Sequence, residues 1–166
     1  MSENMTLLRT APARDAVPKA LVERDPGTPA ISALPSSGGF AALLAAYRTT
    51  GGTARGEDLA RLLQDRLQGG CASLAKLIAS GLVFGFEWRR TLWIPMFQFD
   101  LRDLSVTAEP RQVLDELADK FDGWALAAWF AQGNAWLDGR RPVDVLNVDL
   151  PMVLNAARAD RFMATG

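Results

Sequence analysis

Apolar side chains recur at helical spacing from about residue 38 onward. An apolar run at residues 40–47 follows a pair of serines, and the pair Gly51-Gly52 ends it. Four leucines at helical spacing, with charged residues on the opposite face, indicate a second helix over residues 55–67. The same period predicts a third helix over residues 71–80.

The hydrophobic period then changes to that of β-strands. Residues 82–88 and 91–99 are rich in aromatic and branched side chains and surround an Arg89-Arg90 tip, which predicts a β-hairpin. Since the tip lacks the Asn-Gly or Asp-Gly of favoured two-residue turns, we expect a longer loop. Pro95 has no N–H to donate, so it either places its strand at an edge or ends the pairing there.

Helical patterns return from Glu109 onward. Pro110 suits the first position of a helix, and residues 124–131 are apolar on nearly every face. A short helical turn at residues 142–146 precedes a last helix, for which Asp149 is the predicted cap. The predicted fold is mainly α with one β-hairpin: a winged-helix-like N-terminal part is followed by a small helical domain.

Composition divides the 166 residues into three parts. Five of the nine prolines and no aromatic residue lie in residues 1–37, so this part cannot bury enough apolar surface to fold by itself. We expect a flexible arm over residues 1–37, a helical and hairpin region over 38–105, and a helical domain over 106–166. Within the arm, residues 15–24 could alternatively form a turn or two of helix against a partner.

The composition also removes most catalytic chemistry. The chain has no histidine, which excludes Ser-His-Asp and Cys-His nucleophiles and histidine metal sites. The single cysteine, Cys71, cannot form an internal disulfide and fits a reducing compartment. The sequence contains no glycine-rich phosphate-binding loop. We therefore expect no enzyme activity, no cofactor and no metal.

Charge and hydropathy indicate the compartment of the protein and whether a membrane is a partner. The formal charge of −1 does not draw the chain as a whole onto nucleic acid or anionic lipid. The longest apolar runs have eight residues, whereas a membrane-spanning helix needs roughly 20. These features predict a cytoplasmic protein without a membrane partner.

The most informative segment is residues 134–146, Asn-Ala-Trp-Leu-Asp-Gly-Arg-Arg-Pro-Val-Asp-Val-Leu. Asp138-Gly139 predicts a tight turn, and Pro142 is typical of the first position of a helical turn. Arg140 and Arg141 then lie at the edge of this turn, where we expect them to be exposed. Alternatively, the two arginines cap helix ends or pair with nearby carboxylates.

This segment resembles the C-terminal toxin-binding domain of Xre/MbcA/ParS-type antitoxins. The resemblance covers the chain from about residue 110, with an aromatic-rich helix before the motif and a final helix after it. An F-x-W … P-x-F-Q-F hairpin at residues 86–99 is also similar to one found upstream of this domain in some members. The residues that match the motif are Asn134, Leu137, Gly139, Arg140, Arg141, Pro142, Asp144 and Leu146.

The resemblance implies an antitoxin of a type II toxin–antitoxin pair, which binds and occludes a cognate RES-type toxin that consumes NAD⁺. It also implies a homodimer. Tryptophan and arginine are favoured at protein interfaces, although large aromatics also fill helical cores. Trp124 and Trp129 are about 140° apart around their helix, so we expect a dimer or toxin interface to cover part of it. The candidate partner-binding residues are Trp124, Trp129, Asn134, Trp136, Arg140 and Arg141.

In the better-known members the N-terminal part is a helix-turn-helix that binds the operator of its own genes. Here the candidate recognition helix offers two serines and one lysine, whereas base readout favours arginine, asparagine or glutamine. Residues 40–100 carry seven basic and five acidic side chains, which is modest for a phosphate-binding surface. The candidate DNA-binding residues are Ser73, Lys76, Arg89 and Arg90. The alternative function is a DNA-binding transcriptional regulator without a toxin partner.

Overall fold

The structure is a computed structural model that describes residues 34–66 and 73–166. The expected arm lies outside the described residues up to position 33, as does Cys71 in the third predicted helix. The described part of the chain is mainly helical with a small antiparallel sheet, which confirms the predicted fold class. Its elements are α1 Ser37–Tyr47, β1 Thr53–Arg55, α2 Gly56–Arg66, α3 Leu74–Ala79, β2 Phe86–Trp88, β3 Thr91–Pro95, α4 Ala108–Leu117, α5 Gly123–Ala131, α6 Pro142–Val145 and α7 Leu150–Thr165.

Polar side chains cap the first turns of several helices. Ser36 Oγ accepts a hydrogen bond from Gly39 N at 3.0 Å and caps α1. Asp122 caps α5 in the same way, through Ala125 N at 2.8 Å. Asp149 Oδ1 accepts from Met152 N at 3.0 Å, so α7 begins where its predicted cap lies. These bonds satisfy N–H groups that have no partner within the helix.

The sheet contains a strand that the hydrophobic pattern did not indicate. β3 is the central strand, with β1 on one side and β2 on the other, all antiparallel. β1 has only three residues and places Arg55 opposite Trp93. Since β3 is central, the edge alternative for Pro95 is wrong, and the other alternative is confirmed because the strand ends at Pro95.

The hairpin turn is tighter than predicted. Trp88 pairs with Thr91, so the loop has only two residues, and the expectation of a longer loop is wrong. Arg89 and Arg90 adopt φ values of 47° and 62°, a left-handed conformation that costs a non-glycine residue about 1 kcal/mol or more. The Arg89 guanidinium lies 5.3 Å from the centre of the Trp88 ring and contacts Ser37 Oγ at 3.4 Å. These contacts help to hold the turn without glycine.

Both predicted strands are shorter than their β-rich runs because a side chain replaces part of the ladder. After Pro95 the chain forms a 3₁₀ turn, Met96–Gln98. The buried Gln98 amide accepts from Phe84 N at 2.8 Å and donates to the carbonyls of Phe84 and Pro95, each at 2.9 Å. The backbone at Phe84 is therefore satisfied without a strand partner.

The sheet lies between two hydrophobic clusters. Phe86, Trp88 and Trp93 belong to the larger cluster, whereas Ile94 on the alternate face of β3 belongs to the smaller one with α2 and α3. The larger cluster joins residues from both sides of the predicted boundary at residue 105. For example, the hydroxyl of Tyr47 donates to the carbonyl of Ala127 at 2.6 Å.

Candidate partner-binding surface around Trp136

The resemblance motif folds into a closed loop between α5 and α6. The Asn134 backbone N–H donates to the Arg140 carbonyl at 3.0 Å, and the Asn134 carbonyl accepts from Leu137 N and Gly139 N. Asp138 and Gly139 are left-handed, at φ 55° and 76°. These hydrogen bonds fix the backbone on both sides of the loop tip, so side chains on it are presented in a defined place.

Glycine is required where the two ends of this loop approach each other. A Cβ atom at Gly133 would lie 2.5 Å from the Gly139 carbonyl oxygen, closer than van der Waals contact allows. Leu137 is fully buried beneath the loop. The loop is therefore packed onto the fold and closed by its own backbone.

Three of the candidate residues converge on one carboxylate, that of Asp160 on α7. Trp129 Nε1 and Asn134 Nδ2 each donate to Asp160 Oδ2 at 2.7 Å. Trp136 Nε1 donates to Asp160 Oδ1 at 3.2 Å. Asp160 thus links α5, the motif loop and the last helix.

Sequence reasoning missed Asp160, although a signal was present. Val153, Ala156 and Ala157 form the buried stripe of α7. Asp160 continues that stripe at helical spacing, where a carboxylate needs a partner once it is partly buried. The partners lie 24 to 31 positions earlier in the chain, so the pattern alone does not identify them.

The structure separates the three tryptophans among the candidate residues into two groups. Trp124 and Trp129 are only 5% and 9% exposed and belong to the larger core cluster. The expectation that one core does not cover both is corrected here, because β2, α1 and α6 all pack against α5. Trp136, by contrast, is 57% exposed. Of the three indoles, it is the one that a partner can reach.

Arg140 points its guanidinium along the surface beside the loop. Its Nε donates to the Leu137 carbonyl at 3.1 Å, and Nη2 lies 3.4 Å from Met152 Sδ. The nearest carboxylate contact is a 3.9 Å approach to Asp138, and about half of the Arg140 side chain is exposed. The guanidinium is therefore oriented but keeps donors free for a partner.

Arg141 has a different role from the one its position in the motif suggests. Its Nε and Nη2 donate to both oxygens of Asp144 at 2.5 and 2.7 Å. Its Nη1 donates to the carbonyl of Ala46 at 2.7 Å, at the last turn of α1. Only 31% of its side chain is exposed. Because Arg141 pairs with Asp144, the alternative of pairing with a nearby carboxylate is correct for this arginine.

The candidate DNA-binding residues lie on two elements near the sheet. Ser73 is used as the cap of α3, where its Oγ accepts from Lys76 N at 3.4 Å. Lys76 is exposed on this helix, which has only six residues instead of the ten predicted. Arg89 and Arg90 are exposed at the hairpin tip.

No family model, curated protein or solved structure matches the chain in the three comparisons made. Within residues 34–66 and 73–166, no group of three or more acidic, cysteine or histidine side chains is arranged to hold a metal ion. No helix in the described part of the chain is both long and apolar enough to cross a membrane.

Proposed function

We propose that this chain is a cytoplasmic antitoxin of a type II toxin–antitoxin pair, which binds a cognate RES-type toxin and occludes its NAD⁺-consuming site. The proposal combines the motif resemblance with the surface around Trp136. In this proposal the chain performs no catalysis of its own and acts through protein–protein contact.

The observation that carries the proposal is the fixed exposure of the Trp136 indole. A side chain of this size is usually covered, yet more than half of it is exposed here. The loop backbone and the bond to Asp160 hold the ring in place, so it loses little conformational entropy when a partner binds. Tryptophan and arginine are the residue types that most often dominate the binding energy of an interface.

The chemistry of the expected toxin decides how Arg140 contributes. A site that binds an anionic dinucleotide presents positive charge, so an arginine inside it is electrostatically unfavourable. Arg140 therefore contacts acidic groups at the rim of the toxin site, while Trp136 packs against an apolar part of the toxin. Occlusion in this arrangement comes from covering the entrance.

The test uses the full chain and the toxin encoded by the neighbouring reading frame. We expect Trp136→Ala to weaken toxin binding about 30-fold, the typical effect of removing a central contact, and to abolish growth rescue at low expression. Val148→Ala removes an even more exposed apolar side chain from outside the loop and should bind normally. If the unsubstituted chain neither binds nor neutralises that toxin, the antitoxin proposal is wrong.

A second candidate function, DNA-binding transcriptional regulation, is favoured by the hairpin tip. Two arginines occupy a strained two-residue turn where other residues would fold more easily. Such a tip can contact phosphates, either to repress the chain's own operon or in a regulator without a toxin. We expect Arg89→Ala with Arg90→Ala to weaken DNA retention and to reduce its salt dependence. Arg102→Ala, an exposed arginine outside the hairpin, is the control.

A further inference from the structure

An apolar groove lies where α2 and α3 pack beside β3. It has a volume of about 440 Å³, and Leu74, Ala75 and Ile78 of α3 form one of its walls. Leu92 of β3 and the start of α2 form the other wall. An apolar cavity of about 150 Å³ already accepts a benzene ring. The groove is therefore large enough for more than one apolar side chain.

The groove is an open side of the smaller hydrophobic cluster. Leu74 and Ile78 belong to this cluster, which has only seven buried residues in the described part of the chain, whereas the larger cluster has twenty. Leu92 is 37% exposed, and Ala75 is exposed as well. Apolar side chains inserted here extend a small core and remove exposed apolar surface from water.

The first described residues of the chain lie close to this groove. Ser37 contacts Arg89 at the hairpin tip, where its Oγ is 3.4 Å from Nη2. Thr91, two positions after Arg89, already lines the groove. Residues 1–33 precede this point of the chain. The chain that leads into α1 therefore enters the described structure next to the groove.

Residues 15–24 have the pattern of an occupant for the groove. Val17, Ala20 and Leu21 recur at positions i, i+3 and i+4, which places them on one face of a short helix. The twelve residues 25–36 join this segment to α1. Extended at about 3.3 Å per residue, they span up to about 40 Å, whereas a five-residue strand such as β3 is only about 17 Å long. A tether of this length reaches every part of the groove and keeps the segment at a high local concentration.

Charges at the rim of the groove match those at one end of the segment. Arg55 lines the groove and lies 5.5 Å from the centre of the Trp93 ring, but within residues 34–66 and 73–166 no carboxylate pairs with it. Glu57, which also lines the groove, is 89% exposed and has only a 3.9 Å approach to a basic group of α2. In the segment, Arg24 continues the apolar face by one more turn, and Glu23 flanks it. One acidic and one basic side chain therefore meet their opposites at the start of α2.

We propose that residues 15–24 bind in the groove between α2, α3 and β3 of the same chain. The apolar face of the segment covers the groove, Glu23 pairs with Arg55, and Arg24 pairs with Glu57. The contact extends the smaller hydrophobic cluster and holds α3 from its exposed side. It is a property of this chain alone, so its test does not depend on toxin binding.

Nuclear magnetic resonance of the full chain tests the proposal. We expect nuclear Overhauser contacts between the methyl groups of Leu21 and Ile78, and they should persist on dilution because the binding is intramolecular. Val17→Asp with Leu21→Asp places two charges on the apolar face of the segment, which burial in the groove disfavours. This variant should shift the resonances of α3 and speed the hydrogen exchange of its amides by at least about tenfold.

The control variant makes the same change elsewhere in the arm. Leu7→Asp with Leu8→Asp adds two charges outside residues 15–24, so α3 should keep its resonances and its protection from exchange. Equal effects of the two variants on α3, or the absence of the Leu21 to Ile78 contact in the unsubstituted chain, overturn the proposal. A contact that disappears on dilution also overturns it, because the arm of a second copy then occupies the groove.

Charge reversal tests the direction in which the segment lies. Arg55→Glu places like charges at the contact with Glu23, so it should reduce the protection of α3 from hydrogen exchange. Adding Glu23→Arg to the same chain restores opposite charges and should restore the protection. If the double variant protects α3 no better than Arg55→Glu alone, the proposed pairing of Glu23 with Arg55 is wrong.

Discussion

Arg141 joins the motif loop to the last turn of α1, because its Nη1 donates to the carbonyl of Ala46 across 95 positions of sequence. The carbonyls at a helix end have no partner within the helix, so this bond satisfies one of them. The same guanidinium holds Asp144 through two further bonds. A residue of the motif at residues 134–146 therefore stabilises the fold that carries the motif.

The two arginines of the motif should differ when each is replaced by alanine. Arg141→Ala loses a charge-assisted pair and the bond to Ala46, so we expect it to lower the free energy of unfolding by about 1–3 kcal/mol. Arg140→Ala loses weaker, exposed contacts and should cost less than about 1 kcal/mol. Urea unfolding of the two variants checks this. Equal effects on stability would contradict the separate roles.

Tyr47 should make the protein sensitive to alkali. Burial raises the pKa of Tyr47 well above its usual value of 10, an effect that the positive charge of Arg141 only partly offsets. The neutral phenol is thus favoured in the folded state, whereas the unfolded chain ionises near pH 10. This contribution to stability is fully present below about pH 10 and is lost as the pH rises above it.

The chain has a single tyrosine, so tyrosinate absorbance reports this group alone. We expect the absorbance to rise together with the loss of helical circular dichroism in an alkaline titration. Tyr47→Phe, which loses the bond to Ala127 at a cost of about 1 kcal/mol, is the control and should remove this part of the pH dependence. A tyrosine that ionises near pH 10 in the folded protein would refute the prediction.

Asp160→Asn tests the carboxylate that links three elements. The asparagine side chain has the same shape as the aspartate, but an NH₂ group takes the place of one acceptor oxygen. This donor then faces another donor, either an indole N–H or the Asn134 amide. We expect a loss of about 1–3 kcal/mol in the free energy of unfolding, because the partly buried donors of Trp129 and Asn134 lose their charged acceptor. Trp136→Phe removes only the exposed bond to Asp160 and should change stability by less than about 0.5 kcal/mol.

Gln98→Leu should be among the most destabilising single substitutions. Leucine fills a similar volume but leaves the buried N–H and carbonyl of Phe84 without their side-chain partner. Each unsatisfied group costs about 1–3 kcal/mol, so we expect a loss of about 2–5 kcal/mol. The control is Leu92→Gln, which makes the reverse exchange at an exposed position of β3. A thermal midpoint unchanged by Gln98→Leu would show that the backbone at Phe84 finds another partner.

The sequence predicted most helices and the hairpin because their signals are local. Asp149 and Pro142 mark helix starts that the structure confirms. The two-residue turn at Arg89 was missed because contacts with Trp88 and Ser37, the latter 52 positions away, help to support a conformation that propensity disfavours. β1 was missed because three residues are too few to show a period.

The candidate surface was only partly predictable, because several of its contacts join residues that are far apart in the sequence. The motif identified the loop, and Trp136 is exposed, as the proposed contact with a partner requires. The separate roles of Arg140 and Arg141 depend on which of them reaches α1, and α1 is distant in the sequence. Burial of Trp124 and Trp129 likewise depends on elements that pack from both halves of the chain.

The shared core has a consequence for the order in which the protein is made. Val153, Ala156 and Ala157 of α7 are buried in the same cluster as Leu43 and Tyr47 of α1. A ribosome synthesises α1 more than a hundred residues before it synthesises this part of α7. Helix α1 is therefore synthesised before most of the residues with which it shares this core, and the nascent chain acquires its complete core only after α7 has emerged.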